Sequence, residues 1–584
     1  MSHSRGNERG KDLRITVWIT IILGASAAVV SAYWCWRALS RADTEPLESP
    51  LILSVARQLV DGPSGLYGPF GGGNPLVLIH APLYYRLAAM AAWPLVRAGV
   101  DPVTAALAAG RTLSVLGLLA TIGMASRLAR LDGAPRAAGW WTALLISAAP
   151  ILSGFPFAVR PDMVGVALQT AGILLVLSAL QAERPGAAKL LSAYVAFGLA
   201  VCVKQHDVGA AAISTGLLLA AWLRGRLPFR SMVSCLLIAT AIALVVYGAE
   251  EFATRGRMSQ AVFVAAANVG RIHPADWGHV QVVAVTGLGR TIGLIALLTA
   301  AHLAVVQLRP GLGRRVFAMA GAVLVAAQVG LLTLELALNV KWAILEPSQK
   351  LADLIMYVSL FAMGMGLIMA IVILPACVLI ERRSHPAGRL DLALFAYGTA
   401  ELLLMTALAR ISTGAWANYA IEAVVLAGVL IGRALARACD EAPSRRLIVL
   451  GAWAVLFAAI LHVVEFEANR RLDRLALTEV FDRVKRPASE FFFVDRPEQN
   501  RADGRLELVY DDWLYPVFES IGLAERRSTW LRRDLTSGSV HVVVATSDSP
   551  RVPGIEETLL RLRYLPAMRV GPFFVWVREP LGAK

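Results

Sequence analysis

Over residues 1–466, apolar runs of span length recur along the chain, interrupted by short polar stretches rich in arginine. A helix of about 20 residues crosses a hydrocarbon layer of roughly 30 Å, so each run reads as a candidate membrane span. Runs begin near residues 15, 106, 138, 163, 189, 207, 231, 286, 316, 353, 391, 419 and 446, which predicts about thirteen spans. The first run, Ile15 to about Trp36, is followed by no small-residue cleavage site and is read as a retained span. Beyond residue 467 the pattern shortens. There "EFFFVDRPEQNRADGRLELVYDDW" reads as strand, turn, strand, "SVHVVVATSD" and "VGPFFVWVREP" as two further strands, and "VPGIEETLLRLRYL" as a short helix. The expected architecture is an all-α polytopic membrane domain, residues 1–466, followed by a small α/β domain, residues 467–584.

Composition agrees: 57% of residues are hydrophobic and 17% charged, where a soluble chain carries about one quarter charged. The net charge of +14 would suit a nucleic-acid partner if it were concentrated on one domain. It is instead spread over alternate loops. The N-terminus, "RLARLDGAPR", "ERPGAAK", "RGRLPFR", "RPGLGRR", "ERRSHPAGR" and "RALARACDEAPSRR" are basic, and the positive-inside rule places them in the cytoplasm. Nucleic acid is therefore not an expected partner. The opposite side carries the longer loops 37–105, 250–285 and 338–352, and an odd span count puts residues 467–584 there too. Cys35, Cys202, Cys235, Cys377 and Cys439 lie in or beside spans without metal-ligand spacing, so neither a disulfide framework nor a structural zinc is expected.

Polar residues gather on the outer face. In "GFPFAVRPDMVGVALQ", Arg160 and Asp162 stand at the mouth of the fourth span. A charge costs about 2.5–3.5 kcal/mol at a span centre on insertion scales and less at the interface, so this is either a self-solvating interface pair or a functional carboxylate. Lys204 in "VCVKQHDVG" and the segment "STGAWANYAIE" reach the same face. In the first outer loop, Ser54, Arg57, Gln58 and Asp61 recur at helical spacing within an aliphatic stretch from Leu51 to Asp61, which predicts an amphipathic helix lying on the membrane surface. Glu48 precedes it, with Pro50 in the first turn, where a carboxylate can simply complement the helix dipole. A second surface helix is expected from "IHAPLYYRLAAMAAWPL", with His80 before it and Tyr84, Tyr85 and Trp93 available to form an interfacial aromatic belt. The glycine-rich "GPFGGGNP" lacks the strand-before, helix-after context of a phosphate loop and reads as a plain loop.

The order of these segments resembles the integral-membrane glycosyltransferases of the GT-C fold. It is closest to the bacterial relatives of protein O-mannosyltransferases and of the lipid A aminoarabinose transferase. The likeness is carried by "ESPLILSVARQLVDG", "HAPLYYRLAAM", "AAGRTLSVLGLLATIGMASRLARL", "AVRPDMVGVALQ", "VKQ" and "NYAIE" in that order. The family places an acid in the first outer loop, usually aspartate; Glu48 stands there, with Glu45 and Asp43 nearby. Its second acid matches Asp162, its lysine between the fifth and sixth spans matches Lys204, and His80 stands where the family often has lysine. "NYAIE" supplies Asn418, Tyr419 and Glu422.

The resemblance implies transfer of a hexosyl or pentosyl group from a polyprenyl-phosphate donor to an extracytoplasmic lipid, glycan or protein, with inversion. It implies Glu48 and Asp162 as the catalytic acids, and Lys204, Arg160, His80, Asn418, Tyr419 and Glu422 as substrate-binding groups. No cofactor is implied, and a divalent cation stays open as a participant. A lipid or sugar transporter is the alternative class, although it typically shows repeated halves and helices broken near the midplane. The charge pattern also makes a direct prediction. Topology reporters fused after residues 230, 440 and 580 read inside, inside and outside; an inside signal at 580 would remove the odd span count and separate the C-terminal segment from the outer face.

Overall fold

The computed structural model describes residues 49–67, 78–147, 158–284 (except 273), 389–411 and 417–441. In the C-terminal part it describes 479–486, 491–493, 540–546, 559–570 and 573–578, with isolated residues elsewhere. Glu48, Glu45, Asp43 and the spans beginning near 15, 286, 316, 353 and 446 lie outside the described residues or have only isolated residues within them.

The helices, in order, are α1 (Ser49–Asp61), α2 (Leu83–Arg97), α3 (Pro102–Ala129), α4 (Arg136–Ser147), α5 (Asp162–Leu180), α6 (Ala187–Val203), α7 (Gly209–Leu223) and α8 (Phe229–Thr254). After a helical stretch from Arg257 come α9 (Ala266–Ile272), α10 (Trp277–Ala284), α11 (Arg389–Ile411) and α12 (Ile421–Glu441). Among the described residues, five helical segments are long and apolar enough to cross a membrane: Pro102–Ala129, Asp162–Leu180, Phe229–Thr254, Leu390–Ile411 and Asn418–Ala436. Helices α6 and α7 are shorter and equally apolar. Their starts fall within a few residues of those expected from hydropathy, because proline, glycine and polar residues interrupt the apolar runs there.

Helix α5 packs between α3 and α6, and α12 lies against α4 and α11. Nearly all of α12 is buried, whereas α8 exposes Leu236, Leu237, Leu244, Val245 and Phe252, as a lipid-facing helix does. Apolar side chains gain little by leaving lipid for protein, so close packing and polar contacts carry helix association. Gly117 on α3 shows the first of these. A Cβ there would stand 2.8 Å from the backbone of Met163, so only glycine lets α3 approach the start of α5 so closely.

The first outer loop carries the two helices expected of it, packed against the rest of the protein. Helix α1 forms where predicted and stops at Asp61, with Gly62 at φ 76° and Pro63 following. Its apolar face packs against protein. Leu51, Ile52, Leu53, Val55 and Ala56 are buried, and so are Ser54 and Gln58. Its polar stripe faces protein: the Gln58 amide donates to the backbone of Ser54 and Tyr85, and Arg86 on α2 donates to Gln58. Arg86 also forms a two-pronged pair with Glu250 on α8, at 2.7 and 2.6 Å. Tyr84 and Tyr85 are buried too, so Trp93, half exposed, is the only one of the three in position for an interfacial belt. The Tyr84 hydroxyl donates to the Gly110 carbonyl at 2.8 Å and lies 2.9 Å from the Ser114 hydroxyl.

In the C-terminal part, β1 (Phe491–Phe493), β2 (Val542–Thr546), β3 (Tyr564–Val570) and β4 (Phe573–Arg578) form a sheet in the order β1-β2-β4-β3. β1 and β2 are parallel, with Phe491 opposite Val542, while β4 runs antiparallel to both neighbours. Residues 479–484 are helical, and Val480 is buried with Phe491, Val542 and Val575. The expected helix in "VPGIEETLLRLRYL" is described only at 559–561, and its last residues begin β3, a strand missed from sequence.

At the end of the bundle opposite Asp162, Arg433 on α12 donates from Nε to Asp391 of α11 at 2.7 Å. Its Nη1 donates to the carbonyls of Ala129 and Leu131 at 3.0 and 2.8 Å, closing the end of α3. Both side chains are 1% exposed. Removing one member of a buried pair strands the other charge and costs about 3–5 kcal/mol. Arg433→Gln is therefore expected to destabilise the purified protein by that amount in unfolding experiments. Arg433→Met with Asp391→Leu recovers most of it; a single variant as stable as wild type would show that the pair contributes nothing.

Candidate active site

The site begins with the turn that delivers Asp162. Pro161 occupies the position before α5, and Asp162 opens the helix, where a carboxylate complements the positive end of the helix dipole. The turn is held from α3: the Ser114 hydroxyl donates to the carbonyls of Ala158 and Arg160 at 2.8 and 3.1 Å. Asp162 is 2% exposed. Three groups from separate parts of the chain converge on it. Lys204 Nζ donates to Oδ1 at 2.9 Å, Asn418 Nδ2 donates to the same oxygen at 2.8 Å, and Arg160 Nε stands 3.7 Å from Oδ2.

Lys204 reaches this point because α6 ends there. Its backbone is extended, φ −148° and ψ 113°, and its N–H closes the last turn on Ala200. The ammonium also sits 4.5 Å from the centre of the Tyr419 ring, a cation–π arrangement. Burial opposes its charge, but Asp162, Asp207 and Glu422 more than offset this and raise its pKa above the ordinary lysine value. The lysine is a fixed cation in a site largely sealed from water.

The next residues tie the first outer loop to this lysine. The Gln205 side chain accepts from the Ala81 N–H at 3.1 Å and donates to the Ile79 carbonyl at 2.9 Å. His80 lies between those two contacts. Tyr67 donates to its carbonyl at 2.7 Å, and its ring stacks on Tyr85 with centroids 6.4 Å apart. Burial, and then the positive charge of Arg160, push the His80 imidazole down to about 3. It is therefore neutral: it can share a hydrogen bond but brings no charge to an anion. This narrows the part expected for it as a stand-in for lysine.

Behind the Asp162 cluster lies a second buried layer. Gln169, two turns along α5, donates to Glu422 Oε1 at 2.9 Å, so Glu422 stands one layer deeper than Asn418 and does not bond Asp162. Asp207 and Glu401 join this layer. The Asp207 carboxyl rests against Gly165 of α5 and the Glu401 carboxyl against Gly209 of α7; a Cβ on either glycine would collide with it. Among the described residues, Asp207 Oδ2, Glu401 Oε1 and Gln169 Oε1 have no hydrogen-bond partner. Burial first, and then the proximity of Glu422, push the Asp207 carboxyl well above the usual carboxylate range, toward its neutral form. These residues were missed from sequence. A glutamate inside "YGTAELLLM" was the available signal for Glu401, since acids within spans are costly.

Among the described residues, no three histidine, cysteine, aspartate or glutamate side chains converge to hold a metal ion. The described residues alone do not form a metal site. They do form a pre-organised positive lining, Lys204 and Arg160, set around one carboxylate on a single end of the bundle.

No protein-family model matches the chain, and no curated protein matches it. Solved structures do. ArnT from Cupriavidus metallidurans bound to undecaprenyl phosphate is 13% identical, at TM-score 0.54 over 97% of this chain and 99% of that chain. The same protein in the apo state gives 0.53 over the same shares. The fold is GT-C. A looser likeness, TM-score 0.45 at 16% identity, is to the Archaeoglobus fulgidus oligosaccharyltransferase, over 91% of this chain and 68% of that one. On the GT-C frame, Asp162, Lys204, Arg160, Asn418 and Tyr419 come together as the sequence led one to expect, with His80 joined to them through Gln205. Glu422 stands apart in the second layer, and Glu48 falls outside the described residues.

The two loop histidines give the site a pH signature. Burial first, then Lys204, push His206 down to about 4, as His80 is pushed to about 3. An unfolded histidine titrates near about 6.5. Below that pH the unfolded chain binds more protons than the folded one, so stability falls as pH falls toward 4. The change in unfolding midpoint from about pH 7.5 to about pH 5 should therefore be less favourable in wild type than in His80→Asn/His206→Asn, since the raised Asp207 carboxyl acts alike in both. Equal changes in both proteins would show that the imidazoles are not held neutral.

Proposed function

We propose that this chain is a membrane glycosyltransferase that moves a sugar from a polyprenyl-phosphate donor to an extracytoplasmic acceptor, with inversion. The observation that carries this reading is the Asp162 cluster: two cations, an amide and a carboxylate, drawn from three segments and assembled at one end of a GT-C bundle. The undecaprenyl phosphate bound by the structurally similar ArnT supports a lipid phosphate as one of the ligands.

In the proposed step, an acceptor hydroxyl or amine attacks the anomeric carbon. The new bond to that carbon forms as its bond to the phosphate oxygen breaks, and the electron pair leaves on the polyprenyl phosphate. Glu48 takes the acceptor's proton as general base. The leaving phosphate needs no proton at neutral pH but needs its charge held, which suits Lys204 and Arg160 in a water-poor site. Asp162 holds those cations in place before the donor arrives, and Asn418 fixes the orientation of the Asp162 carboxylate. His80, neutral, contributes a hydrogen bond at the loop nearest them. The N-terminus lies in the cytoplasm and residues 467–584 form an α/β domain outside, on the same face as the site.

The test is transfer measured with purified polyprenyl-phosphate sugar. Glu48→Gln keeps shape but cannot accept a proton, so turnover falls by roughly 10²–10⁴ while donor binding changes little. Asp162→Asn also impairs transfer, and the double variant loses much less than the product of the two effects, because groups acting as a unit are not additive. Lys204→Met weakens donor binding, and Lys204→Arg retains part of it. Full activity in Glu48→Gln would end the catalytic assignment, and a silent Asp162→Asn would return that residue to a plain interface charge.

A further inference from the structure

The far end of α5 carries a second charged feature that the transfer reaction does not use. Between the end of α3, the start of α4 and the last turns of α5 lies a groove of ≈ 900 Å³. Arg127, Arg130 and Arg136 line one part of it, and Trp140, Leu174 and Ser178 line the rest. Asp162 and Ser178 stand at opposite ends of α5, roughly 24 Å apart along the helix at 1.5 Å per residue. The groove is thus at the opposite end of the bundle from the Asp162 cluster.

Two ordinary explanations for the arginines fall short. A helix end favours cations that cover its free carbonyls, but the carbonyls of Ala129 and Leu131 are already covered by Arg433. Basic loops orient a membrane protein, but that requires only charge near the span and not three guanidiniums lining one groove. All three are exposed, and none forms an ion pair or side-chain hydrogen bond with a described residue. Asp132, the acid in the same turn, accepts from Gln181 at 2.7 Å instead. The Arg130 stem crosses Gly139, where a Cβ would lie 3.1 Å from its Cδ, so glycine there leaves room for that side chain against α4.

We propose that this groove binds the phosphate headgroup of an anionic phospholipid from the leaflet that the basic loops face. The guanidiniums match phosphate in charge and in donor geometry. The apolar part of the wall says why the phosphate comes on a lipid. Trp140, 41% exposed, and Leu174, partly exposed, extend the groove as an apolar surface on which acyl chains can lie. Basic pockets between spans on this side of a membrane recognise anionic headgroups in this way.

The experiment uses the full-length protein in phosphatidylcholine nanodiscs titrated with spin-labelled phosphatidylglycerol. Wild type should show a motionally restricted lipid population. Each of Arg127→Gln, Arg130→Gln and Arg136→Gln should weaken it by about fivefold, and the triple glutamine variant by about a hundredfold. The triple lysine variant keeps the charge and should retain most of the binding, which guards against a folding defect in the glutamine set. Inorganic phosphate at millimolar concentration should fail to displace the lipid. Equal restriction of spin-labelled phosphatidylcholine, an unchanged triple glutamine variant, or full displacement by inorganic phosphate would each overturn the proposal, the last by making the site one for a soluble anion.

Discussion

The contact between Asp162 and Lys204 is the constraint around which the described membrane part is arranged. Two charges withdrawn from water lose several kcal/mol of hydration each, and their mutual attraction repays this only with good geometry and further hydrogen bonds. Here the carboxylate is shared among Lys204, Asn418 and Arg160, and the ammonium has both a carboxylate and the Tyr419 ring. Each partner comes from a different place: the loop before α5, the end of α6 and the turn before α12. Satisfying the pair therefore requires those three segments to meet. The glycines make the meeting sterically feasible. Gly117 lets α3 close on the first residues of α5, and Gly165 leaves a space that the Asp207 carboxyl fills from the loop beside Lys204.

The opposite end of the bundle is closed by a pair with a different character. Arg433 and Asp391 are as buried as Asp162 and Lys204, but the guanidinium there spends its other donors on helix-end carbonyls. Its geometry is one of closure, since Arg433 ties α12 to both α11 and the end of α3. The Asp162 cluster differs. Its neighbours include carboxyls and an amide with unused oxygens, and a neutral histidine on a loop held by Gln205. The same physics, a charge pair buried at a helix junction, is used at one end to fasten helices and at the other to keep polar groups ready. Between them the helices are largely apolar, with inner polar contacts at Gln169 and Glu422 and between Ser214 and Tyr397.

That division decides how much of the protein was legible in its sequence. Helix starts were readable because a proline, a glycine or a charge interrupts each apolar run, as Pro161 does before α5. The alternation of basic loops put Asp162, Lys204 and the segment of Asn418 on one face, and the family resemblance grouped them; their meeting at one carboxylate came from the fold. The polar layer beneath was not. Gln169, Asp207 and Glu401 are single residues on separate segments, and nothing local in the chain says that they face one another. The polar partners in the first outer loop were hidden for a related reason. Its polar stripe of Ser54, Arg57 and Gln58 has the spacing of a helix lying on water, yet Gln58 satisfies itself on Arg86 and the Tyr85 carbonyl. An amphipathic pattern fixes which face is polar, and the partner of that face depends on the rest of the fold. The strand Tyr564–Val570 was hidden by Pro566 and by the helical spacing just before it. It pairs with β4 across an irregularity between Pro566 and Met568.

The arrangement of Lys204 raises one last question of mechanism: why a lysine proposed to hold an anionic donor should already be paired. An unpaired ammonium in this layer would be costly enough to lose its proton, and a neutral lysine holds no phosphate. Pairing with Asp162 keeps the charge present. On the proposed reading, a donor phosphate competes with Asp162 for that charge instead of creating it. Asp162 does not become an orphan when the lysine shifts, because Asn418 continues to donate to Oδ1 and Arg160 remains beside Oδ2. The cost of releasing Lys204 is then spread over groups already in place, which is the sense in which an electrostatic site is pre-organised. A carboxylate with only the lysine as partner would lack this property, since freeing the lysine would leave a bare buried charge. Asn418 and Arg160 are therefore as necessary to the reading as the lysine itself.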